Sequence, residues 1–572
     1  MDFSTTAAVG VDIGTGSIRV YYNETLTSLP ITTENDKYIT QSSFEIYSKL
    51  ISLLSSPPLD WNFGSISITA TCSMVVLSKI IINGETYLTP FSLSKSHPNS
   101  DVLLWMDNSA TLQCNQLNGY LTVANKDILN LLGGKFVPEL GLPKLKMIND
   151  NFVEENTRDG DGNSDLVCFE LYDWISYLLK VGGFKNINAH FNGDDYSDEK
   201  LIIPYIPSRP FDSGYAIDGS IKGWPYQFLQ EMGITVEVGR SESGIGNRLL
   251  PIGTPIGKVD KSDIIIGHGC IDCYSGFMNM YRSLPSDKGS TFSTVSMIAG
   301  TSTCFIYSTE TLMEDTNRNW AAAPSYIPTV WGPVEIGKSG LYLYEFGQPA
   351  TGKLFEEFLT IGFVQLEQET KNLELKHHKP IHELIKGYFY YGDVYGNRNP
   401  YSDPKMSQMI IDNNNDILPN VITTNNQNGE SANVLPQVIK YILILEFLVF
   451  QTKQLLEPLS DVSQIIINGS QSKNTRFLKL LSTVTGLPIV IAKNAVARGA
   501  HLMALIGKLC SLGWNYDDAF DQVIQSNNDE CVGNNDIVDV REDYYQLLMT
   551  KYEIFKDMAS AQQRYRKLMG DI

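Results

Sequence analysis

The sequence predicts an α/β protein of two large domains with a ligand held between them. The first observation is one unit used twice, far apart. An apolar strand, Ala7 to Ile13, carries Asp12 and runs into Gly14-Thr15-Gly16-Ser17, with Arg19 just beyond. A second strand, Thr294 to Ala299, runs into Gly300-Thr301-Ser302-Thr303 and then Cys304-Phe305-Ile306. Glycine permits close backbone approach, and the outward amides and hydroxyls donate hydrogen bonds, so two such turns suit a nucleotide phosphate tail gripped from both sides. One such hairpin alone reads as plain β-structure. The pair, with an acidic residue in the first strand, points to phosphoryl transfer. The second observation is the alternation of strand and helix patterns along the chain. The third is length, because 572 residues exceed a single core.

The elements follow in order. After the first hairpin, Ser42 to Leu54 carries apolar residues at helical spacing. Ser65 to Leu77 reads as a buried strand, and a helical stretch opens at Asp107-Asn108. Gly133-Gly134 marks a turn, and Pro143-Lys144-Leu145 precedes another apolar stretch. Asp159 to Asp165 reads as a surface loop, Phe169 to Val181 as a helix with Asp173 near its start, and Ala189 to Gly223 as loop-rich. A polar Pro- and Gly-containing stretch, Pro285 to Ser290, sets the domain boundary, giving domains 1–287 and 288–572. Asp412 to Asn433 is dominated by Asn, Thr and Asp and reads as a disordered or variable surface insertion. Val434 to Leu456 reads as a long buried helix, interrupted by Lys440 and Glu446. Strand Gln464 to Ile467, the turn Asn468 to Asn474, helix Thr475 to Thr485, strand Ile489 to Ala492 and helix Ala495 to Leu509 follow. Tyr544 to Met569 reads as an amphipathic helix packed on the body.

A net charge of −20 argues against a nucleic-acid surface, though not against phosphate binding, which needs only local amides and a cation or two. No apolar run has the length to cross a bilayer, and the polar N-terminus followed by Asp12 is not a signal peptide. The 8 cysteines are mostly scattered, and a reducing cytosol is the default location. Cys270 and Cys273 form a C-x-x-C with no second ligand pair, read as two small residues beside a buried strand end. His377, His378 and His382 lie in a charged stretch and read as solvated.

The order of these pieces resembles the FGGY carbohydrate kinase family, of the actin–hexokinase–Hsp70 ATPase fold, and within it the ribulokinase-like branch. The matching pieces include Val11 to Ser17, Ala70-Thr71-Cys72-Ser73, Trp105-Met106-Asp107, Lys222-Gly223-Trp224, Ile271-Asp272, Gly300 to Cys304, Trp331-Gly332-Pro333, Gly396 to Pro400 and Asn468-Gly469-Ser470. Their collinear order runs nearly from end to end. The resemblance implies two ribonuclease-H-like α/β domains with an interdomain cleft, ATP as phosphoryl donor, Mg²⁺, and a small-molecule sugar as substrate. It implies neither a nucleic-acid nor a membrane partner, and it is compatible with a homodimer.

The resemblance also assigns residues. A sugar hydroxyl is a poor nucleophile at neutral pH, and a carboxylate beside it accepts its proton as the phosphorus–oxygen bond forms. Asp272 matches that base, in a segment reading Asp-Cys-Tyr-Ser-Gly where the family has D-A-H-A-G; helix capping is the alternative. Asp12 matches the residue that orients hydrated Mg²⁺. Gly14, Thr15 and Gly16 would approach the γ-phosphate, and Gly300, Thr301 and Ser302 the β-phosphate side, while Arg19 is a phosphate contact or a surface charge. Gly352, Gly469, Ser470 and Asn474 would surround the adenosine. Thr71, Cys72, Asp107, Lys222 and Glu345 would meet the sugar. The sugar side departs from the family pattern: Thr69 replaces an aspartate and Ser109 an arginine whose planar donor set serine lacks. The implied activity is phosphorylation of the terminal hydroxyl of a ketopentose, D-ribulose first. The alternative is a catalytically weak member that senses a sugar or nucleotide and acts by binding.

Overall fold

The computed structural model describes residues 7–94, 96–124, 129, 132–152, 165–188, 200–206, 226–238, 250–281, 293–309, 329–412, 434–459, 462–531 and 537–570. The boundary stretch Pro285 to Ser290, the loop at 159–164, residue Lys222 and nearly all of the Asn-rich insertion lie outside the described residues.

Two sheets repeat one topology. In the first, the antiparallel strands Ala8–Ile13, Ser17–Tyr22 and Thr25–Pro30 are joined by the parallel strands Ser65–Ala70 and Ile265–Ile271. In the second, antiparallel Ser293–Ala299, Thr303–Thr309 and Tyr342–Gln348 are joined by parallel Val462–Gly469 and Ile489–Ile491. Three meandering strands followed by two parallel ones, added on the side of the first strand, give the ribonuclease-H-like order in both halves. The chemistry-bearing turns sit at the same place in each sheet: Gly14 N–H donates to Ser17 O at 3.0 Å, and Gly300 N–H to Ser302 O at 2.9 Å. A further mixed sheet, including Met74–Ile82 and Glu85–Pro90, elaborates the first half.

Local sequence explains most elements. Ser42 caps helix Ser43–Leu54, its side chain accepting from Glu45 N–H, and Ile46, Leu50 and Leu54 form the buried stripe. Asn474 likewise caps Thr475–Thr485, which ends at the left-handed Gly486. The stretch Ser65 to Leu77 is not one strand. Strand Ser65–Ala70 ends, Thr71 N–H donates to Ile13 O at 3.0 Å, and Met74–Ile82 starts in the neighbouring sheet. The helix expected from Phe169 begins two residues later, at Leu171, because Leu166–Glu170 pairs as a strand with Met74–Ile82.

The chain crosses back between the halves near its end. Helix Ala495–Ser511 packs on the first sheet and on helix Asp272–Met280, although it follows strand Ile489–Ile491 of the second sheet in sequence. Glycines permit this approach: a Cβ at Gly499 would stand 1.7 Å from Ser275 O, and one at Gly10 2.1 Å from Ala497 O. The second core gathers around helix Val434–Leu456, buried on most sides as its apolar run requires. Glu446 within it meets His382 Nδ1 at 2.7 Å and Lys551 Nζ at 2.5 Å. His382 is therefore buried, not solvated, because the helix supplies it with a carboxylate; His377 and His378 are exposed as expected. Helix Tyr545–Leu568 lies on the body through Leu548, Tyr552 and Phe555. Among the described residues, no helix is long and apolar enough to cross a membrane.

Candidate active site

A cleft of about 540 Å³ opens between the two sheets, with both glycine turns on its walls. Asp12, Gly14, Thr15, Gly16, Arg19, Thr71, Cys72, Asp272, Gly300, Thr301, Ser302, Glu345, Gly352, Gly469 and Ser470 all line it. Fifteen of the eighteen positions singled out from sequence thus converge; Asn474, Asp107 and Lys222 are the exceptions. Asn474 is buried, accepting from Phe477 N–H at 3.1 Å and donating to Tyr441 Oη at 3.2 Å, so its side chain works in the scaffold. Asp107 accepts from Ile39 N–H and Ser109 N–H, each at 2.9 Å, and does not reach the cleft wall. Ser109 is exposed and its hydroxyl is taken by the same carboxylate. Lys222 lies outside the described residues.

The first turn is held from three sides. Strand pairing sets Asp12 opposite Arg19, and Arg19 Nη1 donates to Asp12 Oδ2 at 2.6 Å. Trp105 Nε1 donates to the Thr15 hydroxyl at 3.0 Å, and Gln41 Nε2 to Thr15 O at 2.6 Å. Arg19 is thus neither a plain surface charge nor a lone phosphate contact: it is the counter-ion of Asp12, with part of its guanidinium still exposed. In the second turn, Gly352 N–H donates to Gly300 O at 3.0 Å and Thr351 N–H to Thr301 O at 2.8 Å. A Cβ on Gly16 would meet nothing within 4 Å, and one on Gly300 only Ser302 O at 3.9 Å. Both glycines therefore face open space rather than a packing neighbour, which fits backbone surfaces meant for a phosphate chain. The acidic donor set also fits a hard cation: Asp12 is a buried carboxylate on the cleft, with room beside it for water and phosphate oxygens.

Asp272 is the first residue of helix Asp272–Met280, while Ile271 occupies the capping position. Its carboxyl opens on the cleft, not on bulk solvent. Burial first and the nearby Asp12 second push it up to about 7, against hydrogen bonding from the Cys273 amide. Burial also raises Asp12, with Arg19 opposing. Two coupled carboxylates at the C-terminal ends of strands of one sheet thus share the cleft with two phosphate-type turns.

Towards the far end of the cleft lie Glu345, Cys304, Cys273, Arg398 and Glu139. Tyr274 Oη donates to Glu345 Oε2 at 2.9 Å, and Cys304 Sγ to Oε1 at 3.2 Å. Arg398 is buried and grips Glu139 with two nitrogens, Nε at 3.3 Å from Oε1 and Nη2 on Oε2, with Trp331 beneath the guanidinium at 5.8 Å. Neither Arg398 nor Glu139 carries a role in the sequence reading. Arg398 stands in the matching piece Gly396 to Pro400, the one signal that could have raised it; Glu139 has none. Behind this wall Lys144, fully enclosed, donates to Leu104 O and Trp105 O at 2.7 Å each and fixes the loop that carries Trp105. Burial holds its ammonium down at about 8. Thr69, where the resemblance expects aspartate, is buried and donates to Cys270 O at 2.8 Å, tying two parallel strands.

Residues 295–507 match the C-terminal domain of the FGGY family of carbohydrate kinases. Protein MPA43 of Saccharomyces cerevisiae is 30% identical over 620 aligned positions, covering 100% of this chain and 99% of that protein. The chain belongs to the FGGY carbohydrate kinase family. Among its FGGY relatives, the D-ribulokinase YDR109C of the same yeast is 25% identical, over 89% of this chain and 72% of that protein. A human FGGY carbohydrate kinase domain-containing protein is 24% identical over 98% of each chain. Solved structures share the fold at low identity: the xylulose kinase of Rhodospirillum rubrum aligns with TM-score 0.61 at 14% identity, over 98% of this chain and 99% of that one. The glycerol kinase of Plasmodium falciparum with ADP aligns with TM-score 0.59 at 13%, over 98% of each. This FGGY protein thus belongs to a family of sugar kinases and has the actin/hexokinase-like two-domain fold, and one of its fold relatives, the glycerol kinase, is solved with ADP.

Proposed function

We propose that this FGGY kinase transfers the γ-phosphoryl group of ATP to the terminal hydroxyl of a free ketopentose, D-ribulose first. The observation that carries the reading is Asp272: a carboxyl raised to about 7, standing on the cleft between two glycine turns and beside Asp12. A base with that affinity takes a hydroxyl proton near neutral pH and is regenerated without strong alkali. The likeness to the yeast D-ribulokinase supports a pentulose over a polyol.

The roles follow from position. The backbone of Gly14 to Gly16 and of Gly300 to Ser302 would cradle the phosphate tail, and Gly352, Gly469 and Ser470 would flank the nucleoside. Asp12, oriented by Arg19, would hold Mg²⁺, which when bound supplies countercharge to the phosphates. Thr71, Cys72 and Glu345 line the sugar end, with Arg398 and Glu139 added from the structure. Asp272 accepts the proton of the attacking hydroxyl as the new phosphorus–oxygen bond forms, and the bond to the leaving ADP oxygen breaks in line with it. A sugar-panel assay with ATP and Mg²⁺ tests this: D-ribulose should raise ADP formation and yield ribulose phosphate. A second reading, a sugar- or nucleotide-sensing protein with weak turnover, draws on Asp107, whose carboxylate is spent on Ile39 and Ser109. It predicts ATP binding with no phosphorylated product from any pentose, pentulose or polyol.

A further inference from the structure

The C-x-x-C of the sequence does not assemble. Cys270 turns into the first core, its thiol 3.6 Å from Met503 Sδ. Cys273, one helical step past Asp272, turns the other way and meets Cys304 from the second half of the chain. Cys304 and Glu345 stand on adjacent antiparallel strands with their side chains on one face, Sγ and Oε1 3.2 Å apart. One ligand atom from each of Cys273, Cys304 and Glu345 lies within 4.8 Å of the others, and all three residues line the cleft. We propose that Cys273, Cys304 and Glu345 form a site for a thiophilic divalent cation of the Zn²⁺ class, which ties the two halves of the cleft together and inhibits the kinase.

The donor set suits that cation. Two thiolates and one carboxylate are borderline-soft ligands that select zinc over magnesium or calcium. A tetrahedral site with bonds of about 2.3 Å to sulfur sets its two sulfurs ~3.8 Å apart, so the three donors reach a shared centre with small side-chain movement. Tyr274 holds the other oxygen of Glu345 at 2.9 Å, an outer contact that aims Oε1 at the thiols. Three protein ligands leave a fourth position, and it opens on the cleft. Binding releases the two thiol protons to solvent. The three donors come from both halves of the chain: Cys273 from the helix that follows strand Ile265–Ile271 of the first sheet, Cys304 and Glu345 from the second sheet. A cation there would engage Glu345, a proposed sugar contact, on the cleft wall, and its bonds to donors from both halves would resist reopening, so it opposes sugar entry and product release. The inhibitory half of the proposal rests on the sugar kinase reading; the site itself does not.

Co²⁺ added to the reduced full-length chain provides a test independent of turnover. The expected result is one equivalent bound, with a thiolate-to-cobalt charge-transfer band in the near ultraviolet that Zn²⁺ bleaches. Cys273→Ala, with its fold checked by circular dichroism, should lose the band, and Cys270→Ala should keep it. In the wild-type chain, Zn²⁺ should protect Cys273 and Cys304 from iodoacetamide, read by mass spectrometry, and leave Cys510 unprotected. Absence of the band, its survival in Cys273→Ala, or equal alkylation with and without Zn²⁺ overturns the site. If the site stands, Zn²⁺ should inhibit sugar-dependent turnover of the wild type at least tenfold more strongly than that of Cys273→Ala; equal inhibition overturns the regulatory half.

Discussion

Replacing Asp272 by Asn separates chemistry from stability. The amide keeps the shape of the protonated acid but accepts no proton, so sugar-dependent turnover should fall by about 10²–10⁴ with ATP affinity nearly unchanged. Stability should move the other way. Raising a carboxyl from 3.8 to about 7 corresponds to roughly 4 kcal/mol in favour of its protonated form. The sign follows from proton counts. Between those two values the folded protein holds a proton that the unfolded chain has lost, so stability falls as pH rises through this range and the whole loss is present above pH 7. Partial contact with cleft water reduces the figure, so about 1–3 kcal/mol is the expected gain for Asp272→Asn at pH 8, shrinking to nothing near pH 4. Thermal melts of both proteins at the two pH values read this directly, alongside an ADP-release assay. In the wild type, turnover should rise with pH along a limb centred near 7. A mutant that keeps most of its sugar-dependent rate refutes the base assignment, and a mutant less stable than wild type at pH 8 refutes the buried-charge argument.

Gly300→Val should weaken ATP binding at least tenfold by calorimetry in a folded protein, since its Cβ has open space on the cleft side; unchanged affinity rules out the phosphate-turn reading. Gly14→Val should act in the same direction, with the flexible end of Arg19, 2.9 Å from the new Cβ, displaced. Arg398→Lys loses the planar fork that grips Glu139 and should raise the sugar KM more than it alters ATP affinity, whereas Ser109→Arg, on an exposed side chain, should change KM less than Arg398→Lys does; the reverse ranking returns the sugar pocket to Asp107 and Ser109. Lys551→Met leaves Glu446 buried with His382 alone and should cost about 3–5 kcal/mol in denaturant unfolding, a loss absent if the pair is dispensable. Sugar plus ATP·Mg²⁺ should reduce the radius of gyration in small-angle scattering as the cleft closes, and an unchanged value counts against closure.

What was legible in the sequence was backbone chemistry written locally. Gly14 to Gly16 and Gly300 to Ser302 announce themselves because a turn, its glycines and its hydroxyls are neighbours in the chain. Helix Thr475–Thr485 has the residues of its own cap and stop. Side-chain pairings across long separations were not legible. Arg398 and Glu139 are 259 positions apart, and no local pattern links them. His382 reads as solvated because its sequence neighbours are charged, while the partner that buries it, Glu446, lies on a helix whose apolar run suggests no room for an ion pair. The break at Thr71 to Ser73 was hidden for a related reason. The apolar run continues through it, while backbone bonds at Thr71 and Ser73, the Thr71 hydroxyl on Ser73 at 2.9 Å and Trp105 N–H on the Ser73 hydroxyl at 3.1 Å turn the chain from one sheet into the next.

The same distinction bears on how the sugar end departs from the family pattern. The phosphate side rests on main-chain groups, which survive substitution because any residue compatible with the turn supplies them. The sugar side rests on side chains, where a lost guanidinium cannot be made good locally. Here the position expected to carry it, Ser109, is exposed and serves to fix Asp107, while a different guanidinium, Arg398, is buried on the cleft from the other half of the chain. A planar cation presented from a loop of the second half changes position relative to the first half whenever the cleft opens or closes. Its contact with Glu139, which lies on the first half, spans the two and is made across the cleft itself. Recognition of the sugar and closure of the domains are then coupled through one buried ion pair. A ligand hydroxyl that bonds this pair strengthens the closed arrangement, and one that disrupts it leaves Glu139 unpaired in a low-dielectric site. Discrimination between sugars of similar size can thus arise from whether the pair is kept rather than from the volume of the pocket.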